Sequence, residues 1–279
     1  MRKLIELTEK QEQDLFERRE AGEKRKDLIK EFAVSDREYK KIILKHGGVL
    51  KSKVQKYNFN ESYFENIDTE DKAYFLGFIT ADGSVNDDYA KFVKIKLNAD
   101  DFGILEDYIS YTKYEGPVYK HKNGKYCEVA LSGKKVVSDL NKLGILPNKT
   151  HTVEFPKIPE NLVRHYMRGV FDGDGCISIH KKREGSRDTS DRGQVNLCSA
   201  SKNFIEEYVD RLQVCCGITK NKIRNPKGSY YVIDWGSFAD IEKFYYFFYS
   251  NANVYLKRKK ETFDIAIGIS KTKTRYRKK

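Results

Sequence analysis

Two aspartates stand at the ends of nearly apolar segments, each followed by glycine: "AYFLGFITADGSV" over residues 73–85 and "HYMRGVFDGDGCIS" over 165–178. Asp82 and Asp174 close these segments 92 positions apart. A carboxylate at a helix C-terminus adds to the partial negative charge of the last free carbonyls, an unfavourable arrangement unless a cation compensates. If the two helices pair, their carboxylates repel one another as well. Hard oxygen donors in such a pair select a divalent ion of the Mg²⁺ type. A calcium loop of the EF-hand kind does not fit, because the twelfth position counted from Asp172 is Arg183 and not glutamate.

Pairing is what the rest of each segment predicts. A glycine inside a helix costs about 1 kcal/mol relative to alanine, so a repeated one needs a reason. Gly77 and Ala81 are four apart, as are Gly169 and Gly173, which lays a stripe of small residues along one face of each helix. Two such stripes let backbones approach closely. The bulky Phe75, Leu76, Phe78, Ile79, Val170 and Phe171 then pack outward, and Asp82 and Asp174 arrive together.

Around each segment the same order of elements recurs. After Asp82, "SVNDDYAKFVKIKLN" alternates as a hairpin, with Val93, Ile95 and Leu97 on one face. "ADDFGILEDYISY" reads as a helix, "GPVYKHKNGKYCEVALS" as a hairpin turning at Asn123-Gly124, and "GKKVVSDLNKLGI" as a helix. After Asp174 come "CISIHKK", a polar loop, "QVNLCS", the helix "SKNFIEEYVDRL", the hairpin "NKIRNPKGSYYVIDW" and a long helix from Ser237. The expected class is α+β: two pseudo-symmetric αββαββα halves around two central helices, with a small N-terminal three-helix domain.

The expected boundaries are 1–47 for the N-terminal helices, 48–65 for a basic linker, 66–155 and 156–268 for the two repeats, and 269–279 for a basic tail. In the first segment, Thr8 with Gln11 and Ser35 with Glu38 have capping-box spacing, and Gly22 and Gly47 stop helices. This stretch resembles the helix-turn-helix of resolvases and invertases, with "AVS" as the turn. It departs from the pattern at Ile29 and Ala33, where such motifs carry alanine and glycine. The resemblance implies that the helix from Ser35 enters a major groove, with Asp36, Arg37, Tyr39 and Lys40 near bases or phosphates.

A net charge of +12 on 279 residues, with pI near 9.2, points to a polyanionic partner, nucleic acid before an acidic membrane. The five cysteines form no C-x-x-C pair and no zinc spacing with the five histidines, as expected of reduced thiols in a cytoplasm-like compartment. The start "MRKLIELTEK" lacks a signal-peptide core, and "FYYFFY" is too short to span a bilayer.

"FLGFITADG" and "MRGVFDGDG" resemble the two signature helices of LAGLIDADG homing endonucleases in their single-chain, two-repeat form, over roughly residues 66–265. The resemblance implies two curved antiparallel sheets forming a saddle over double-stranded DNA, and a chain working as a monomer. It implies that Asp82 and Asp174 bind Mg²⁺, with the backbone carbonyls of Ala81 and Gly173 as auxiliary ligands. Thr80 replaces the usual first acid of the motif, which Asp172 retains. The family's lysine after each half matches Lys149 and Lys259, with Lys257 or Lys260 as alternatives for the second. The implied reaction is hydrolysis of one phosphodiester per strand, leaving 3′ overhangs.

Strand faces and hairpin ends that would line the saddle carry Lys94, Lys96, Lys120, Lys122, His180, Lys182, Gln194, Asn196, Lys222 and Arg224. Two other readings share the fold: an intron maturase that binds RNA, and a transcription regulator joined to a helix-turn-helix. Retention of both aspartates and both lysines favours DNA cleavage over either. An intein is disfavoured by Met1 in place of a splice-junction nucleophile and by an end, "RYRKK", without His-Asn.

Overall fold

The computed structural model describes residues 7–48, 50, 57–88, 90–181, 191–226 and 228–277, with backbone alone for 270–277. The chain divides into two compact units, Met1–Val54 and Gln55–Lys279.

The first unit holds α1 (Glu9–Glu20), α2 (Arg25–Glu31) and α3 (Asp36–Lys45). Both expected capping boxes form, Thr8 with Gln11 and Ser35 with Glu38. Leu15, Leu28, Val34, Tyr39, Ile42 and Ile43 close a small core, edged by Phe16, Ile29 and Phe32. The turn before α3 places Ala33 at φ 51°, the left-handed conformation for which glycine is usual. Tyr39 corrects an expectation. It is 3% exposed and packs with Ile42 and Ile43, three and four residues on, so it holds the helices together and reaches no groove. Arg37 is exposed, and Lys40 is paired with Asp36.

The supposed linker over 48–65 is structured from residue 57. Asn60 N donates to Thr112 O, Glu115 N donates to Asn58 O, and Tyr63 and Phe64 lie in the core of the second unit. Aromatic residues in a basic stretch were the sign of this.

The second unit is built on α4 (Glu70–Asp82) and α7 (Val163–Asp174), packed along their length. A methyl on Gly77 would lie 2.0 Å from Tyr166 O, and one on Gly169 would lie 2.0 Å from Tyr74 O. Gly77 corresponds to Gly169 and Tyr74 to Tyr166 at the repeat offset, so one close contact is made twice across a pseudo-twofold. Near the helix ends a methyl on Gly173 would lie 2.3 Å from Ala81 Cβ. The small-residue stripes therefore set the helix separation. Ala73 through Thr80 are buried without a break, as a central helix requires.

Each central helix feeds a sheet. In the first half, β1 (Gly83–Asn86), β2 (Phe92–Asn98), β3 (Tyr119–Lys120) and β4 (Tyr126–Ser132) form an antiparallel sheet in the order β1-β2-β4-β3, with α5 (Phe102–Thr112) and α6 (Lys134–Lys142). In the second, β5 (Gly175–His180), β6 (Arg192–Ser199) and β7 (Tyr231–Trp235) run in the order β5-β6-β7. Helices α8 (Lys202–Cys216) and α9 (Phe238–Tyr249) pack against β6, and α10 (Lys257–Arg277) against β5. One core runs through both halves.

The second half departs from αββαββα in two places. The expected strand "NKIRNP" makes only a single bridge, Arg224 to Val232, because Pro226 cannot donate and Gly228 turns the chain at φ +72°. The long helix expected from Ser237 is α9 and α10, separated by a bend in which Asn251 takes φ 58°. The stretch expected as a tail from 269 continues α10 to Arg277. Among the described residues no helix is long and apolar enough to cross a membrane.

Candidate active site

Asp82 and Asp174 are the last residues of the two central helices, and Gly83 and Gly175 begin the strands that follow. A methyl on Gly173 would sit 3.3 Å from Asp82 Oδ2, one residue short of Asp174, so the carboxylates share one place. Both acids are raised from the ordinary aspartate value. Asp174 is pushed up to about 7 by burial first and by the charge of Asp82 second, against the pull of Lys259 and Lys149. Asp82 is raised by burial, with Lys259 and Lys149 opposing. Among the described residues no hydrogen-bond donor reaches either carboxylate. Two mutually repelling carboxylates without donors, Asp174 half-buried and Asp82 open to solvent, fit a divalent cation. Among the described residues no third His, Cys, Asp or Glu joins them in a metal-binding cluster.

Each acid has a lysine beside it. Lys149 Nζ donates to Gly83 O, and Lys259 Nζ donates to Gly175 O, the equivalent carbonyl in the other half. This repeated bond singles out Lys259, since Lys257 is an exposed residue near Glu261 and Lys260 pairs with Asp264. Lys259 also donates to Phe171 O at 2.7 Å and Asp172 O at 2.6 Å, so its three N–H groups all cap carbonyls near the end of α7. Among the described residues Lys149 donates to Gly83 O alone. Burial lowers Lys259 to about 8 and lowers Lys149, with the nearby carboxylates opposing in each case. A cavity of about 160 Å³ opens beside Lys149, lined also by Ala81, Thr150, Asp174, Cys198 and Tyr230.

The other motif positions are structural. Asp172 is buried and accepts from Tyr74 Oη at 2.9 Å, Tyr249 Oη at 2.7 Å and Leu256 N at 2.7 Å. Its counterpart Thr80 donates to Leu76 O at 2.8 Å and accepts from Tyr166 Oη at 3.2 Å. Each central helix thus lends a tyrosine to the other's residue at this position. The departure at Thr80 replaces one buried cross-helix contact with another.

Sequence reasoning missed Arg168. It is fully buried in α7 and donates to Val254 O, Phe248 O and, at 2.6 Å, Glu70 Oε1. Glu70 also accepts from Asn253 N and Nδ2, while burial and Arg168 hold the adjacent His165 down to about 4. These groups fix the bend between α9 and α10 that delivers Lys259. A charge inside an otherwise buried helix was the available signal. Arg168→Met is expected to cost about 3–5 kcal/mol, because Glu70 and two carbonyls lose a buried partner. A urea titration reads it as a lowered midpoint. Arg258 was also missed; it donates to Asp101 from two nitrogens, at 2.7 and 3.0 Å, and its charge reaches Asp82.

The sheets carry most of the expected interface. Lys94 and Lys96 alternate with buried Val93, Ile95 and Leu97, and Gln194 and Asn196 alternate with buried Val195 and Leu197. Lys122, His180, Lys222 and Arg224 are exposed. Lys120 is a correction: it pairs in register with buried Cys127, and its ammonium lies 4.2 Å from the Phe102 ring centroid, so it turns toward α5 rather than the open face. Lys182 lies outside the described residues. Reading charge alone missed the exposed Tyr119 and Tyr126, the latter under Lys96 at 4.6 Å. Strand alternation around Cys127 marks Tyr126 as outward-facing.

No protein-family model matches the chain. Among solved structures it is similar to the LAGLIDADG homing endonuclease I-GzeII in complex with its DNA target, with 16% identity, a TM-score of 0.53 and coverage of 72% of this chain and 91% of that one. It is similar also to I-LtrWI bound to target DNA (14% identity, TM-score 0.51, 77% and 92% covered). I-SmaMI bound to uncleaved DNA in the presence of calcium ions gives 14% identity, a TM-score of 0.52 and coverage of 72% and 92%. The fold is that of the LAGLIDADG homing endonucleases. A curated relative is the probable translation initiation factor IF-2 of Methanocaldococcus jannaschii, 26% identical over 216 residues, a match covering 73% of this chain and 16% of that protein's length.

Proposed function

We propose that this chain is a site-specific DNA endonuclease that makes a Mg²⁺-dependent double-strand break in a long duplex. The observation carrying this reading is the doubled arrangement of acid and lysine. Asp82 and Asp174 meet at the ends of the central helices, and Lys149 and Lys259 cap the same glycine carbonyl in each half.

Asp82 and Asp174 would hold the metal, with the carbonyls of Ala81 and Gly173 as further oxygens. A divalent ion there supplies Lewis-acid polarisation of a phosphoryl oxygen and acidifies water. Lys149, with donors to spare and a cavity beside it, is placed to meet charge building on the phosphate; Lys259, with its donors committed, contributes its charge. One acid per half supports one cut per strand. Lys94, Lys96, Lys122, His180, Lys222 and Arg224, with Gln194 and Asn196, present the polar surface that a duplex requires, phosphates being met by cations and bases by forks and amides.

The test is digestion of a randomised long-duplex library with Mg²⁺, followed by sequencing of the ends. Defined double-strand ends within one recovered sequence, lost on chelation, are the expected result. Ends scattered over all sequences, or cutting indifferent to chelation, would refute it.

The first unit supports a second DNA contact through α3, with Arg37 exposed on it and Lys40 beside Asp36. Removing residues 1–54 is expected to weaken binding of the recovered duplex by at least about tenfold, the loss of a tethered second contact, while the single-turnover cleavage rate at saturation stays within about threefold. Equal affinity without the unit would refute its role.

A further inference from the structure

On the open face of the second sheet an acid occupies a place where an acid is a liability. Asp234 lies opposite Asn196 in register, between buried Ile233 and Trp235, and so faces the surface assigned above to DNA. A carboxylate there repels phosphates. Its two oxygens are nevertheless committed: Oδ2 accepts from Arg224 Nη2, and Oδ1 accepts from Gln194 Nε2 at 3.3 Å. The segment carrying Arg224 is itself pinned to β7. Trp235 Nε1 donates to Thr219 O and Asn221 Nδ2 donates to Asp234 O, both at 2.7 Å, and Arg224 and Val232 exchange backbone bonds of 2.8 Å.

We infer that Arg224, buttressed by Asp234, reads a guanine in the half of the target that lies over the second sheet. An arginine meant for a phosphate gains nothing from a neighbouring carboxylate, which cancels its charge. An arginine meant for a base edge gains orientation, because the carboxylate holds one edge of the planar fork and aims the remaining donors outward. Arg224 has a side chain 54% exposed, and among the described residues its guanidinium has no other partner. Guanine alone offers two acceptors, N7 and O6, on its major-groove edge to match two parallel donors; adenine offers an acceptor and a donor. The same acid orients the Gln194 amide beside it.

The inference rests on the endonuclease reading, and one experiment separates the two. Duplexes are selected by binding from a randomised library, with calcium replacing magnesium so that they are recovered whole, using the full chain, Arg224→Ala and Asp234→Asn. The wild type is expected to enrich a guanine at one position that Arg224→Ala no longer prefers, every other position unchanged. Arg224→Ala should bind the wild-type duplex about 5- to 150-fold more weakly, as the loss of a bidentate base contact implies. Asp234→Asn, which keeps the side-chain volume, should weaken the preference without abolishing it. A uniform affinity loss with the same enriched sequence would make Arg224 a phosphate contact and overturn the inference. Unchanged sequence and affinity would reduce the pair to a sheet-edge contact and overturn it equally. A wild type that enriches no duplex removes the endonuclease reading and this inference with it.

Discussion

Asp174→Asn is expected to raise the melting temperature of the metal-free protein at pH 8 while abolishing double-strand cleavage. In an unfolded chain an aspartate titrates near 3.9, whereas here burial and Asp82 push Asp174 up to about 7. Between those values the folded state binds more protons than the unfolded state, so stability falls as pH rises from about 4 to about 7. At pH 8 the full cost of ionising a half-buried carboxylate beside another is present, on the order of 4 kcal/mol at 1.36 kcal/mol per unit. Asparagine has nearly the same shape and carries no charge, so it escapes that cost and relieves Asp82 as well. Thermal melts of both proteins at pH 5 and pH 8 read the effect: the gap should widen toward the alkaline side by several degrees. Mg²⁺ should then raise the wild-type melting temperature and leave the variant nearly unmoved, because a ligand stabilises only the state that binds it. A variant that melts below the wild type at pH 8, or responds equally to Mg²⁺, would show that the acids do not form a strained cation site.

The other large effect lies in the spine. Gly169→Ala would place a methyl 2.0 Å from Tyr74 O and 2.8 Å from Phe78 N, and both obstacles are backbone. No side chain can swing away, so the helices must separate by about 1 Å or more along their shared stripe. Overpacking a core costs about 1–3 kcal/mol even where side chains can adjust, and here the backbone itself must shift. Alanine's helix propensity returns only about 1 kcal/mol. We expect a net loss of several kcal/mol in a urea titration, an equal one for Gly77→Ala, and no folded second unit when both are combined. Cleavage should fall more steeply than the folded fraction, because separating the helices separates Asp82 from Asp174. Gly103→Ala is the control: a methyl there meets nothing within 4 Å and should leave stability unchanged or slightly raised. If Gly169→Ala behaved like that control, the spacing of the spine would not depend on bare backbone.

How much of this was legible before any coordinates depended on the kind of signal. The central helices could be read because their stripes, apolar flanks and terminal acids occur twice, so each copy checks the other. Capping boxes at Thr8 and Ser35 are local chemistry and formed as spaced. Lys259 emerged from among three lysines only when its bond to Gly175 O matched that of Lys149 to Gly83 O. Lys120 could not be placed from its own short strand, because the register with Cys127 decides which way it faces. Tyr39 was misread although the information was present: Tyr39, Ile42 and Ile43 share one helical face, and that apolar period should have outweighed its place near the start of α3. The bend between α9 and α10 was invisible because what holds it, Arg168, Glu70 and Asp172, comes from distant parts of the chain.

Among the described residues, the two arginine–carboxylate pairs that cross between the halves run in the same direction. The first half supplies Glu70 and Asp101, and the second supplies Arg168 and Arg258. At the repeat offset Arg168 matches Leu76 and Glu70 matches Leu162. Two first halves would therefore set an acid against leucine, and two second halves would bury an arginine with no counter-ion. The repeats have become mutually obligate mates, and neither could rebuild the paired core by joining a twin of itself.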